Sequence, residues 1–412
     1  MIMFAATLIG GGCDYIFQIF MGRSLGPESY SELNALLSIF YIISVPTQTI
    51  GTFLARYTSK FKAEGKDGEI SWTLRKTLLY AMVLAILIAV FLLLATPYLS
   101  RFISLSSTLP LIILVVGVLI VMAAPVGYGP TQGLQRFHLA GAYGISGGVV
   151  KLVSGVVLTI AGFGVAGAIG GVVVGSLIAA LVGFTSVRDY LRRRPVAPDK
   201  GEKESMRSYV LTVTAGILGW SIMINVDIFL ARQYLPPYEA GLYSVASVLG
   251  KVIFFLSGGV CSVLLPKIAD YQARRKSTYS TMRIMALLTL GLGMIIALAY
   301  MIFPAPILNF LYGTVYADAA TALSIVGFAM VFFGVAGLFL NYGLAIASRV
   351  YIAIFSVFTA LQIALIVLFH SSPTEIALDL LVTSAGLVLV SWACMETRAR
   401  MERGQPLPPL AR

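Results

Sequence analysis

The longest polar gap between the apolar segments of this chain is RDYLRRRPVAPDKGEKESMRS, at residues 188–208. It lies at the middle of the 412 residues and separates two sets of six apolar segments. An α-helix needs about 20 mostly apolar residues to cross a bilayer, and each segment is long enough to do so. The sequence therefore predicts an all-α, polytopic membrane protein with twelve transmembrane helices in two pseudo-symmetric six-helix lobes.

This polar gap also sets the predicted domain boundaries. We expect an N-terminal lobe over 1–187, a cytoplasmic linker over 188–208, a C-terminal lobe over 209–396 and a cytoplasmic tail over 397–412. The predicted transmembrane helices are 3–22, 33–56, 77–97, 109–127, 140–161, 164–187, 209–231, 240–264, 284–304, 319–343, 350–370 and 374–396.

The composition and the placement of charge agree with this class of protein. Only 11% of the residues are charged, whereas a soluble domain carries roughly a quarter, so a soluble enzyme is excluded.

All but five of the 29 Lys and Arg lie in alternate gaps between the apolar segments or in the tail. Because cytoplasmic loops carry the excess of Lys and Arg, both termini are predicted to be cytoplasmic. The net charge of +11 favours contact with anionic lipid on that face. The short basic loops lack interleaved aromatic residues, so nucleic acid is not an expected partner.

The two halves of the sequence resemble each other. A shift of 209 residues places Arg23 on Arg232 and Pro27 on Pro236. An even number of helices in each half predicts a parallel repeat, related by an axis along the membrane normal. Secondary transporters use such repeats and place the substrate site at the interface between them.

Glycine and proline predict two local features of the helices. Small residues four apart let helix backbones approach closely in lipid, so close packing is expected in the fifth and sixth helices. Pro46 lies within the second predicted helix and should kink it by removing a backbone hydrogen bond. The glycines with this four-residue spacing are Gly144, Gly148, Gly167, Gly171 and Gly175.

Three stretches of the chain resemble a known family. RSLGPESY at 23–30 is similar to the LGPxxYG signature of prokaryotic polysaccharide exporters, the Wzx-type oligosaccharide-lipid flippases, with Ser31 in place of the final glycine. LQRFHLAGAYGISGGVVKL at 134–152 resembles that family's junction between helices 4 and 5. PAPILNFLYGTVYADAATAL at 304–323 resembles its connection between helices 9 and 10.

The resemblance implies a fold and a function. The family shares a superfamily with multidrug/toxin exporters and the lipid II flippase. It implies two six-helix lobes around a central cleft lined mainly by helices 1, 2, 7 and 8, in the prokaryotic cytoplasmic membrane. The implied activity is alternating-access flipping of an isoprenoid pyrophosphate that carries an oligosaccharide, by a monomer. The basic loops could contact glycosyltransferases or a polymerase, although a solvated cytoplasmic face explains these loops equally well.

Four ionisable residues lie inside predicted helices 1, 5, 7 and 8: Asp14, Lys151, Asp227 and Lys251. Each costs ~2.5–3.5 kcal/mol near the bilayer centre, so such residues usually face a cavity or a partner. Asp14 and Gln18 are four residues apart and share one helix face. We hypothesise that Asp14, Gln18 and Asp227 bind H⁺ or Na⁺ and couple an ion gradient to transport. Lys151 is predicted to be structural, neutralised by one of the acids.

Cationic residues are candidates for binding the substrate pyrophosphate. Lys251, with Arg23 and Arg232 at the outer ends of helices 1 and 7, would offset negative charge that crosses the low-dielectric zone. The alternatives are an ion pair at Lys251 and interfacial anchoring by the two arginines. Three further polar residues on the cleft helices could bind sugar hydroxyls or form interhelical hydrogen bonds: Asn34, Gln48 and Asn225.

Other functions are less consistent with the sequence. An ion-coupled multidrug exporter of the same fold is the nearest alternative. A membrane enzyme that polymerises or ligates lipid-linked sugars would need a larger external catalytic loop, and a scaffold would not need intramembrane charges. The sequence has no catalytic triad and no GxxxxGK[ST] loop, so no enzyme activity or ATP cofactor is expected.

Cys13, Cys261 and Cys394 lie far apart in the sequence, so the sequence predicts no metal site and no disulfide framework.

Overall fold

The computed structural model of the chain describes residues 2–254, 279–345 and 348–404. These residues form helices joined by short turns, and no strand occurs among them. The helices of the first half are α1 (Ile2–Ile43), α2 (Val45–Ala63), α3 (Asp67–Phe102), α4 (Leu109–Gly133), α5 (Phe137–Leu158), α6 (Gly164–Thr185), α7 (Arg188–Arg192) and α8 (Lys200–Tyr234). The helices that follow are α9 (237–254), α10 (Tyr279–Ile302), α11 (Pro304–Leu311), α12 (Ala320–Ala345), α13 (Arg349–Leu368) and α14 (Pro373–Gly404).

The prediction of an all-α, polytopic membrane protein is confirmed. Eight helices in the described ranges are long and apolar enough to cross a membrane, or nine if the bent pair Leu8–Ile43 and Val45–Ala63 counts as one span. The count of twelve stays a prediction, because one pair of predicted spans forms a single stretch and another predicted span is described only in part. The predicted fifth and sixth helices form one continuous stretch, Phe137–Thr185, and predicted helix 8 ends outside the described residues.

The chain forms two compact units, Met1–Ser221 and Ile222–Arg412. In the first unit α6 packs against α4 and α5, and α5 packs against α1. In the second unit α12 packs against α10 and α14. The division lies within α8, because the first half of that helix shares an apolar cluster with α2 and α3. The lobe boundaries predicted from the sequence stay predictions.

The first turn between spans is reduced to a single residue. Gly26 has φ 72° and ψ 170°, and it is the only residue inside α1 with non-helical backbone angles. Glycine takes such a positive φ without a steric penalty, and Pro27 has the fixed φ and missing N–H that suit the start of a helix. The Gly-Pro pair therefore divides α1 into two arms, where the sequence predicted a loop over 23–32.

The predicted kink at Pro46 is confirmed as a break. Helix α1 ends at Ile43, α2 begins at Val45, and the two are bent by 40°. Pro46 occupies the first turn of α2, where its missing N–H leaves no helical carbonyl without a donor. The break therefore lies two residues before the proline itself.

The close packing predicted for the glycine-rich helices is also confirmed. A Cβ added to Gly171 would overlap the backbone of Gly155, and one added to Gly175 would lie 2.7 Å from the carbonyl oxygen of Gly147. These contacts join α5 to α6 backbone to backbone. Any side chain at Gly171 must therefore separate the two helices.

We expect Gly171→Ala to lower the free energy of unfolding by about 1–3 kcal/mol, the usual cost of overpacking. Thermal unfolding in detergent would measure the change. Gly170→Ala is the matched control, because its Cβ would meet only the end of the Leu158 side chain, at 3.2 Å. Equal melting temperatures for the two variants would contradict the backbone contact.

Candidate functional site

An ion pair joins α1 to α5 in the first unit. Asp14 Oδ1 lies 2.5 Å from Lys151 Nζ, which also lies 4.9 Å from the centroid of the Phe17 ring. The two helices come this close because Gly148 packs against Gly10, where an added Cβ would lie 3.2 Å from the Gly10 backbone. The Lys151 side chain is 14% exposed and that of Asp14 is 56% exposed. The charge of Lys151 is therefore already compensated.

A neutral hydrogen-bond network connects the two arms of α1 across Gly26. The Tyr30 hydroxyl donates to Gln18 Oε1 at 3.0 Å, and Gln18 Nε2 donates to Asn34 Oδ1 at 3.4 Å. Asn34 Nδ2 donates in turn to the Tyr30 carbonyl oxygen at 2.9 Å. Gln18 and Asn34 therefore bind each other, and part of their hydrogen-bonding capacity is used within the unit.

The second unit contains a buried acidic site at Asp227, whose side chain is 0% exposed. Tyr243 and Ser247, both on α9, donate their hydroxyl hydrogens to Asp227 Oδ2, each at 2.9 Å. Asp227 Oδ1 is buried and has no hydrogen-bond partner among the residues that the structure describes. A buried acceptor without a hydrogen-bond partner costs free energy, and a proton or a cation bound to this oxygen would remove that cost.

The two networks occupy equivalent positions of the repeat. A shift of 209 residues places Gln18 on Asp227 and Asn34 on Tyr243. The same pair of positions therefore holds two amides in the first unit and an acid with a phenol in the second. Sequence reasoning selected Gln18, Asn34 and Asp227 but missed Tyr243. The repeat itself was the signal that could have found it.

Lys251 lies on α9 with its side chain partly exposed. Within the described ranges it forms no ion pair, in contrast to Lys151. The charge of Asp227 acts on it electrostatically without a direct contact. Lys251 therefore keeps donor capacity that no described carboxylate occupies.

The other predicted site residues differ in exposure. Arg23 is exposed in the first arm of α1, and Gln48 is exposed on α2. Arg232 and Asn225 are buried on α8. Arg23 and Gln48 therefore lie at the surface of the first unit, whereas the other two lie inside the second unit.

The cysteine predictions are partly covered by the structure. Cys13 and Cys394 are free thiols, whereas Cys261 lies outside the described residues. Among the described side chains, no group of three His, Cys, Asp or Glu could hold a metal ion.

The apolar helices, the broken first span and the charged groups within the spans together define a multi-pass membrane protein with ionisable side chains inside its helices. The fold is similar to the inward-facing conformation of a multidrug resistance MATE family transporter of the MOP superfamily. The TM-score is 0.78 at 15% identity, over 98% of this chain and 96% of that one. It is also similar to the lipid II flippase MurJ in an inward closed conformation. There the TM-score is 0.75 at 16% identity, over 96% of this chain and 87% of that one. A MOP superfamily transporter from Pyrococcus furiosus matches with a TM-score of 0.66 at 16% identity, over 95% and 94% of the chains.

Residues 1–272 match the polysaccharide biosynthesis protein family, and the chain belongs to this family. The family resemblance predicted from the LGPESY stretch and its companions is thereby confirmed. No curated protein matches the chain. The solved structures share its fold at identities too low to carry a substrate over to it.

Proposed function

We propose that this protein flips a polyprenyl-pyrophosphate-linked oligosaccharide across the prokaryotic cytoplasmic membrane by alternating access, for cell-surface polysaccharide biosynthesis. The family supports a role in polysaccharide biosynthesis, and the fold supports transport. The single observation that carries the proposal is Lys251, an intramembrane cation without an ion-pair partner in the described part of the chain. No covalent step on the substrate is involved.

The physical argument concerns the charge of the substrate. A pyrophosphate must leave water to cross the bilayer, and a fixed ammonium in its path offsets part of the lost hydration. Lysine binds phosphate as a compact point charge. Lys151 cannot do this without first losing Asp14, which lies 2.5 Å away. Lys251 has no such competitor among the described carboxylates.

The remaining binding roles are proposed from exposure for Arg23 and Gln48, and from their positions on predicted helix 7 for the buried Arg232 and Asn225. Arg23 is exposed and is proposed to receive the phosphate at the outer end of the path, with Arg232 as its repeat equivalent. Gln48 and Asn225 are proposed to bind sugar hydroxyls. Asn34 is the weaker candidate, because its amide already bonds to Gln18 and Tyr30.

Ion coupling is proposed at Asp227. Two hydroxyl donors on Oδ2 hold the carboxyl in place, and Oδ1 is left as an acceptor for H⁺ or Na⁺. Asp14 and its neighbour Gln18 stay a second proposed site. There an arriving ion must compete with the Lys151 ammonium.

The proposed arrangement in the membrane is a monomer with both termini in the cytoplasm. The basic loops on that side would contact anionic lipid and any partner glycosyltransferase or polymerase. Cross-linking in intact cells would identify such partners.

The test combines native mass spectrometry with a flipping assay in liposomes. We expect the gently extracted wild-type protein to carry a polyprenyl-pyrophosphate glycan, and Lys251→Met to lose it together with at least ~10-fold in flipping rate. Lys251→Arg should retain most of both, because the charge is kept. Lys200→Met, at an exposed position on α8, is the control for loss of a single basic residue.

Two outcomes would contradict the proposal. If the Lys251→Met variant flips the lipid at the wild-type rate, Lys251 is not part of the translocation path. A wild-type protein that takes up no added lipid-linked sugar, but transports cationic drugs against a gradient, would indicate the multidrug exporter instead.

A further inference from the structure

A cavity of about 690 Å³ lies within the first unit, between α2, α3 and the first half of α8. This volume falls within the ~300–1,000 Å³ of typical small-molecule sites. Its deeper walls are apolar and include Ile50, Phe53, Leu84 and Val210. No residue of the Asp14 pair or of the Gln18 network lines it. It is therefore separate from the site described above.

One end of this cavity is strongly basic. Lys76 on α3 and Lys203 and Arg207 on α8 line it, each within the first ten residues of its helix. In the portion of the chain that is described, none of the three forms an ion pair. The Lys203 ammonium lies 5.4 Å from the centroid of the Trp72 ring, which lines the same end. Three positive charges without an ion-pair partner among the described residues therefore line a cavity whose other walls are largely apolar.

A buried hydroxyl also lines the cavity without a partner. Thr73 is 3% exposed, and its Oγ1 makes no hydrogen bond to any described residue. A helical threonine normally satisfies its hydroxyl on a backbone carbonyl one turn earlier, so this one is an exception. Leaving a buried hydroxyl unsatisfied costs about 1–3 kcal/mol. A ligand with an acceptor oxygen would remove that cost.

We propose that this cavity binds an anionic glycerophospholipid of the surrounding bilayer. Its phosphate lies among Lys76, Lys203 and Arg207 and accepts a hydrogen bond from Thr73, and an acyl chain follows the apolar walls. Basic pockets between membrane helices recognise lipid headgroups in this way. The exposed Tyr80 at the edge of the cavity is typical of the membrane interface.

The apolar walls favour a lipid over a free phosphate ion. Between Arg207 and Thr214 the lining of α8 extends about 10 Å beyond the cations, a depth that an inorganic ion would leave empty. The bound lipid would connect α8 to α2 and α3 within the first unit. It would therefore stabilise that unit by a free energy that rises with the logarithm of the lipid concentration once this exceeds the dissociation constant.

The test is lipid binding to the full chain in detergent, measured by native mass spectrometry. The probes are phosphatidylglycerol, phosphatidylcholine with the same acyl chains, and inorganic phosphate. We expect wild-type protein to retain phosphatidylglycerol over the other two. Lys203→Gln/Arg207→Gln should weaken that binding by ~10-fold or more. Thr73→Val should weaken it by a smaller factor, with all charges in place.

Arg194→Gln/Lys200→Gln is the matched control, because it removes two exposed basic residues from the same region outside the cavity. It should bind phosphatidylglycerol as the wild type does. Equal losses in the two double variants, or equal retention of the two phospholipids, would overturn the proposal. A polyprenyl phosphate is added as a further probe, and its retention in preference to phosphatidylglycerol would assign the cavity to the transport substrate and would equally overturn the proposal. Melting temperatures of the delipidated variants check that each is folded.

Discussion

We expect Asp14→Ala to lower the free energy of unfolding by about 3 kcal/mol, the lower part of the range for leaving a buried charge without its ion-pair partner. The reason is the asymmetry of the pair. The Lys151 side chain is 14% exposed, so removal of Asp14 leaves a mostly buried ammonium without its carboxylate. Lys151→Met should cost less, because the Asp14 side chain that remains is 56% exposed. Thermal unfolding in detergent measures both changes.

The double variant Asp14→Ala/Lys151→Met distinguishes the effect of losing the ion pair from the effect of losing side-chain packing. With both charges removed, it should be more stable than Asp14→Ala alone, because no unpaired charge remains. Strictly additive losses would show that the two side chains do not interact. That result would also remove the reason for regarding Lys151 as structural.

The second large effect is expected at Asp227, on transport and not on stability. Asp227→Asn keeps the shape of the side chain and an oxygen that accepts from Tyr243 and Ser247. It removes the charge that would attract H⁺ or Na⁺. One charge moved through 100 mV is worth ~2.3 kcal/mol, or roughly a 50-fold difference in substrate between the leaflets. We expect the variant to lose this gradient-driven accumulation.

The measurement is flipping in liposomes under imposed H⁺, Na⁺ and voltage gradients. Asp318→Asn is the control, because it makes the same chemical change at an exposed position in the second unit. If Asp227→Asn responds to every gradient as the wild type does, the coupling proposal for this residue is wrong. Flipping without any ion dependence in the wild type would point to facilitated exchange instead.

The class of fold was predictable, whereas the ends of the spans were not. Apolar segments and alternating basic gaps require only length and composition, and both are visible in one sequence. The sequence predicted a loop over 23–32, but the structure needs only Gly26 to interrupt α1. A glycine followed by a proline can end one helix and start the next within two residues, which hydropathy cannot detect.

The polar stretch at 188–208 illustrates a second limit. It was predicted as a linker, yet α8 begins within it at Lys200. Met206 packs in the apolar cluster with Phe53 and Leu74 and draws this part of the helix against α2 and α3. Tertiary packing of Met206, together with Tyr209 and Val210, stabilises this part of α8, and a charged stretch gives little indication of it. The basic cavity depends on the same packing and was therefore outside the reach of the sequence alone.

The partners of the charged residues also required coordinates. Asp14, Asp227, Lys151 and Lys251 allowed several pairings, because depth in the membrane does not fix the rotation of a helix. The structure pairs Asp14 with Lys151 through the contact between Gly10 and Gly148. That contact fixes which faces of α1 and α5 meet.

The repeat positions Gln18 and Asp227 bear on the stoichiometry of transport. A symmetric ancestor with an acid at both positions would have two titratable groups per cycle, one in each half. Here the first copy carries an amide, which neither gains nor loses a proton at neutral pH. This pair of positions can therefore take up at most one proton for each substrate moved.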